Sequence, residues 1–335
     1  MSATPKPVAS NGANDIQRWP DGSLRHLLTL DGLSRDDVVD MLDRADSYLS
    51  PQGAAPVRND RLSGRTVANL FFEPSTRTRA SFELAAKRLG ADVINLDVNM
   101  SSRIKGESIL DTIYTLEAMQ CDFFVVRDAS EGVPRMIAEH VQPHIAILNA
   151  GEASSAHPTQ GLLDVLTIRH HKQRFADLVV TVVGDVGHSR VARSLYHALT
   201  ALGVGELRLV APAALAPDAT LYPHAIVGNA VDDALRGADV VMTLRIQRER
   251  LDGAHGQPDA THYHTEFGIT AERLALAKPD AIVMHPGPMN RDVEIASSIA
   301  DGGQSVITEQ VRNGVAVRMA VLDHIDQTRK RNLGA

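Results

Sequence analysis

TVANLFFEPSTRTRASFELAAKRLG, residues 66–90, holds an apolar run, a polar turn and an amphipathic segment in one stretch, and its reading decides the fold. Thr66 to Phe72 is almost continuously apolar, as a strand buried on both faces must be. Ser81 to Leu89 then places Phe82, Ala85, Ala86 and Leu89 at helical spacing and stops at Gly90, a natural C-terminal cap. The same alternation recurs outward from this point. Apolar runs at 92–96, 123–126, 145–148, 179–183, 207–210, 239–244 and 281–284 are separated by helix-like segments, among them 108–119 with Ile109, Ile113 and Leu116 in phase. Short runs of this kind predict an α/β protein whose sheets are mostly parallel and flanked by helices.

A chain of 335 residues is long enough for two domains at roughly 100 to 200 residues each. The small-residue stretch 149–156 suits a crossing between them, and a helix is expected from Pro158, since Pro is favoured at the first helical position. A final helix from about Glu309 to Arg329 is expected to return to the first domain. The predicted division is a flexible N-terminal tail over 1–23, a first domain of 24–156 plus 309–335, and a second of 157–308, joined by interdomain helices. Trp19, the only tryptophan, is expected to anchor the end of the tail.

Composition narrows the function. Hydrophobic residues at 44% and charged residues at 22% are those of an ordinary folded protein. The formal charge of −7, from 34 basic against 41 acidic residues, opposes a polyanion, so nucleic acid is not expected as a partner. A few converging arginines can still bind a small anion. The single cysteine, Cys121, excludes an intrachain disulfide and fits a reducing compartment. No apolar run approaches the about 18 residues of a membrane span, and the first residues lack the apolar core of a signal peptide. The expectation is a soluble, cytoplasmic protein without a membrane partner.

The turn inside the opening stretch concentrates hydroxyls and guanidinium groups: Ser75, Thr76, Arg77, Thr78 and Arg79. A helix N-terminus there offers unpaired N–H donors and a partial positive charge, which suits a phosphate. The glycine-rich phosphate loop ending in Gly-Lys-Ser/Thr is missing from the sequence. Gly184-Asp-Val-Gly-His-Ser follows a strand, but its glycines miss the dinucleotide fingerprint, so NAD is disfavoured. His255, His262 and His264 lack a further ligand at a recognisable spacing. Neither a metal nor another cofactor is expected.

Ser75-Thr-Arg-Thr-Arg, His157-Pro-Thr-Gln and His285-Pro-Gly-Pro, in that order and each at a strand end, resemble the aspartate/ornithine carbamoyltransferase family. The similarity runs from about Leu27 to Arg329. Lys105-Gly-Glu and Arg245-Ile-Gln-Arg-Glu-Arg resemble the catalytic chains of the aspartate branch. The ornithine branch usually carries Ser-Met-Gly near the second string and a cysteine in a His-Cys-Leu-Pro string, where this chain has Leu244-Arg-Ile and Pro286. A substrate with two carboxylates needs cationic forks, which would repel an ornithine side-chain amine.

The resemblance implies transfer of the carbamoyl group of carbamoyl phosphate to the amino group of L-aspartate, the committed step towards pyrimidines. It assigns Ser75, Thr76, Arg77 and Thr78 to the phosphate, and Thr78, Arg127 and His157 to the carbonyl oxygen. Gln160, with the carbonyls of Pro286 and Gly287 and with Pro288 beside them, would hold the carbamoyl amide. Arg190 and Arg245, with Gln247 nearby, would grip the aspartate carboxylates, and Lys105 would touch both substrates. Ser101, which fits the spacing from Lys105 better than Ser102, lies with Lys105 on a loop that in the family reaches a neighbouring chain's site. A homotrimer with shared sites is thereby implied, within reach of a regulatory or dihydroorotase-like partner chain. Gly287 departs from the Leu or Ala of some relatives, and the tail has no counterpart in the shortest ones.

Overall fold

Why the apolar runs form sheets shows in their pairing. The computed structural model describes residues 16–51, 53–96, 108–246 and 260–334. The first half contains α1 (Arg35–Ser47), β1 (Thr66–Phe71), α2 (Thr76–Arg88), β2 (Asp92–Leu96), α3 (Ile109–Ala118), β3 (Phe123–Asp128), α4 (Val133–His140) and β4 (Ala146–Glu152). A connecting helix, α5 (Pro158–Lys172), leads to β5 (Val179–Gly184), α6 (Arg190–Leu202), β6 (Glu206–Val210), β7 (Ile226–Gly228), α7 (Val231–Leu235) and β8 (Val240–Leu244). The chain closes with α8 (Ala260–Phe267), α9 (Ala271–Leu274), β9 (Ile282–Met284), α10 (Ser297–Ala300) and α11 (Ile307–Leu333).

Two parallel sheets result, in the orders β2-β1-β3-β4 and β7-β6-β5-β8-β9. The α/β class read from the apolar runs is the one observed. Successive side chains of each strand feed opposite faces. Val67, Phe123, Val125 and Leu148 join a central cluster, while Ala68, Leu70, Phe124 and Val126 join a second on the other face. Val180, Val182, Leu209 and Met242 of the second sheet enter the same central cluster, and Val183, Val241 and Val283 form a third. Leu162, Leu166, Val317 and Leu322 carry the central cluster across from one sheet to the other on α5 and α11.

Some boundaries differ from the periodicity. α2 begins at Thr76, ahead of the Ser81 start read from apolar spacing, because its first turn lines the cleft and has no apolar stripe to reveal it. β4 occupies the small-residue stretch as far as Glu152, and α5 makes the crossing. α11 extends two residues earlier and four later than the expected final helix. Within the stretch expected as tail, residues 16–23 lie against the body. Gln17 is fully buried and its Oε1 accepts from the N–H groups of Leu28 and Thr29, Arg18 pairs with Asp37, and Arg25 stacks over the Trp19 ring. No helix among the described residues is long and apolar enough to cross a membrane.

Candidate active site

In an open parallel sheet, a crevice forms at the carboxyl ends of adjacent strands whose connections leave in opposite directions. The first sheet has its switch between β1 and β3, and the second between β5 and β8. The ends of these four strands and the segments that follow them carry Glu73 to Thr78, Arg127, Ser189 with Arg190, and Arg245, and all of them line one cleft of about 420 Å³ between the sheets. His157, Gln160 and the 285–288 loop complete its wall with α11 residues Gln310 and Arg318.

The anion-binding character of the turn is built by its backbone. Ser75 is the N-cap of α2 in extended conformation, but its side chain makes no capping bond; its hydroxyl lies 3.0 Å from that of Thr78. The first-turn N–H groups therefore remain open to a guest from the cleft. Arg77 stands at this mouth, its acidity increased by burial first and by the nearby Arg245 cation second.

Among the described residues, five arginines, Arg77, Arg127, Arg190, Arg245 and Arg318, and one carboxylate, Glu73, line the cleft. Arg127, buried at the end of β3, donates to the Ala150 carbonyl at 3.1 Å and to Glu73 Oε1 at 2.9 Å. Arg190, the first residue of α6, takes both oxygens of Glu73, at 2.7 and 2.9 Å. Glu73 so bridges the two halves of the molecule. Gly151 makes room for this: its φ of +123° is foreign to L side chains, and a Cβ there would lie 2.7 Å from Arg127 Nη1 and 3.2 Å from Arg190.

His157 occupies the N-cap position of α5 with Pro158 at N1, yet its ring makes no capping bond and its Nδ1 has no partner among the described residues. Burial, then the charges of Arg127, Arg190 and Arg318, hold its pKa well below the usual imidazole value. The ring is neutral at physiological pH. On the opposite wall His285 shapes the 285–288 loop: its Nδ1 accepts from Gly287 N–H at 2.8 Å, which leaves Nε2 to donate to Glu294 at 3.1 Å. Gly287 itself has φ +66°, in the left-handed region where glycine is the natural occupant.

Of the residues named from sequence, Ser75, Thr76, Arg77, Thr78, Arg127, His157, Gln160, Arg190, Arg245, Gly287 and Pro288 all line this cleft. Ser101, Lys105 and Gln247 lie outside the described residues. Glu73, Gln310 and Arg318 were missed. Glu73 had a readable signal, since it sits two residues before Ser75 in the turn that attracts arginines, whereas the two α11 residues belong to no local motif. Of the histidines considered for a metal, His264 donates through Nδ1 to the Val293 carbonyl at 3.0 Å, and His255 lies outside the described residues.

Two family models divide the chain between them. Residues 25–170 match the carbamoyl-phosphate-binding domain of the aspartate/ornithine carbamoyltransferases, and residues 176–325 match their aspartate/ornithine-binding domain. The chain belongs to the aspartate/ornithine carbamoyltransferase family. Within this family it is similar to aspartate transcarbamoylase from Trypanosoma cruzi in complex with N-(phosphonacetyl)-L-aspartic acid, at 32% identity over 90% of this chain and 94% of that one, with a TM-score of 0.78. The same enzyme in complex with carbamoyl aspartate and phosphate matches at 32% over 90% and 95%, TM-score 0.78. Ornithine carbamoyltransferase from Thermus thermophilus is similar at 26% over 88% and 97%, TM-score 0.77. As a carbamoyltransferase, the chain carries the Ser75 to Thr78 turn in its carbamoyl-phosphate half and Arg190 and Arg245 in its amino-acid half.

Proposed function

We propose that this carbamoyltransferase uses L-aspartate as acceptor, producing N-carbamoyl-L-aspartate and phosphate, and so serves the synthesis of pyrimidines. The observation that carries the choice is the pair Arg190 and Arg245 on the second-domain side of a cleft lined, among the described residues, by five arginines and one acid. Two carboxylates find forks there, while the side-chain amine of ornithine would enter a field of its own sign. The similar Trypanosoma cruzi structures hold aspartate-derived ligands, which supports the same reading.

The reaction then uses the chain's own groups. Phosphate sits on the α2 N-terminus with Ser75, Thr76 and Arg77. Thr78, Arg127 and neutral His157 donate to the carbonyl oxygen as the amine attacks, stabilising the tetrahedral oxyanion. The C–N bond forms, the C–O bond to phosphate breaks, and the amine proton departs. His157, with its depressed proton affinity, is a poor base, so the leaving phosphate is the better acceptor. Gln160 and the carbonyls of the 285–288 loop receive the carbamoyl N–H groups. Gln247 assists at the aspartate, and Ser101 and Lys105 reach from a neighbouring copy, which makes the homotrimer the working unit; the resemblance supports these roles.

The deciding experiment incubates the protein with carbamoyl phosphate and either L-aspartate or L-ornithine and quantifies the carbamoylated amino acid. Product from aspartate alone supports the proposal. Product from ornithine alone overturns the acceptor assignment and leaves the phosphate turn standing. The particle mass in solution, expected at three chains, tests the assembly.

A further inference from the structure

Helix α5 is buried at every residue from Pro158 to Ile168, so the polar side chains there look for partners inside the protein. Asp164 is the carboxylate of that stretch and is fully buried. Its Oδ1 accepts from Gln160 Nε2 at 3.0 Å, one turn earlier on the same helix, and from Gln310 Nε2 at 2.8 Å on α11. Gln310 in turn accepts through Oε1 from the backbone N–H of His285 at 2.9 Å. One oxygen atom thus ties a cleft side chain to the cleft loop. Asp164 does not itself line the cleft, whereas Gln160, Gln310 and His285 do.

An accepting oxygen decides which end of a neighbouring amide turns towards it. With Nε2 of Gln160 committed to Asp164, Oε1 is the atom that Gln160 presents to the cleft. Resting on the reading that the cleft takes carbamoyl phosphate, we propose that Asp164 is a positioning residue for the carbamoyl amide: it aims the Gln160 oxygen at the ligand NH2 and, through Gln310, fixes the 285–288 loop whose carbonyls face the same NH2. Gln160 turned the other way would offer N–H to N–H, and the site would lose one of the acceptors by which it tells NH2 from CH3. Burial raises the Asp164 carboxyl to about 7, against the pull of its two amide bonds and of Arg318. A proton taken up in that range has a place on Oδ2, which has no partner among the described residues, so Oδ1 accepts in either state.

Isothermal titration of the full chain with inorganic phosphate, acetyl phosphate and carbamoyl phosphate tests this, because acetyl phosphate carries a methyl where carbamoyl phosphate carries NH2. The wild type is expected to prefer carbamoyl over acetyl phosphate by on the order of tenfold or more, as sites built to bond a polar group reject the analogue without it. Asp164→Ala is expected to bring that ratio close to unity while the Kd for inorganic phosphate stays within about twofold, since lost bonds to the amide do not touch the phosphate turn. A ratio that survives in Asp164→Ala overturns the positioning role. Equal weakening of all three anions also overturns it, because the residue would then act only on the fold. Should Asp164→Ala fail to fold by circular dichroism, Gln310→Met carries the test by cutting the tie to His285: a reduced ratio supports the inference, an unchanged ratio overturns it. A wild type without any preference for carbamoyl phosphate overturns the proposed function as well, which separates the two failures.

Discussion

Glu73 and Arg190 are joined fork to fork across the cleft, the carboxylate following β1 and the guanidinium opening α6. Both oxygens are engaged, at 2.7 and 2.9 Å, and Arg127 shares one of them. The pair is largely shielded from solvent, with side-chain exposures of 24% and 8%. In a cleft whose other described charged side chains are arginines, Glu73 occupies the role that a substrate carboxylate would contest.

Glu73→Gln keeps the shape and removes the charge. Losing one partner of a shielded charge pair commonly costs tenfold to a hundredfold or more, so kcat/KM for aspartate is expected to fall on the order of tenfold to a hundredfold. The Kd for inorganic phosphate should move little, because phosphate is assigned to the Ser75 to Thr78 turn, whereas the Glu73 carboxylate holds Arg127 and Arg190. Steady-state kinetics beside titration calorimetry distinguish the two effects; equal loss of both ligands would place Glu73 in the phosphate turn instead.

Arg245→Ala removes a cation from the second-domain wall while leaving the α2 N-terminus intact. The KM for aspartate is expected to rise by about tenfold or more, in line with the loss of a charge-assisted bond. Carbamoyl phosphate should bind nearly as before. Should the binding of both fall together, Arg245 does not belong to the acceptor side.

His157 should remain neutral throughout the working range, since burial and three neighbouring arginines all depress its pKa. Imidazole resonances followed by NMR from pH 8 down to pH 5.5 should show no titration of His157. A midpoint near the ordinary value of about 6.5 would remove it from its place as a neutral donor.

His26 gives a stability prediction. Its Nδ1 accepts from the Ile147 N–H at 2.9 Å, and burial, with Arg25 adding to it, lowers its pKa to about 3. Between about 6.5 and that value the unfolded chain holds a proton on this residue that the folded chain does not, so stability rises with pH and is lost on acidification. The contribution is at most about 1.4 kcal/mol per pH unit. Denaturant unfolding at pH 7.5 and pH 5 should therefore show a steeper loss for the wild type than for His26→Gln. Parallel losses in the two proteins would count against it.

The sequence exposes whatever is local. The apolar runs were legible because strands covered on both faces need no alternation, and the phosphate turn was legible because its residues are contiguous. The pairing of Glu73 with Arg190 was not, because the two stand 117 positions apart and only the meeting of two sheets brings them together. Gln310 was hidden for the same reason, its bond to Asp164 spanning 146 positions. The start of α2 was legible from the polar turn but not from apolar spacing, because periodicity records the packed face of a helix and the first turn of this one lines the cleft.

Helix α11 sets the order in which the molecule can be finished. Ala316, Val317, Met319 and Leu322 supply part of the central cluster that also holds Val67, Phe82 and Phe123 of the first half. On the ribosome these residues emerge after the whole of the second sheet has been made. The first half must wait with an unfilled face while the second folds, so vectorial synthesis and completion of the core run in different orders. A chain stalled before residue 307 leaves that apolar face uncovered, and such a fragment is a substrate for chaperones rather than a half-sized enzyme.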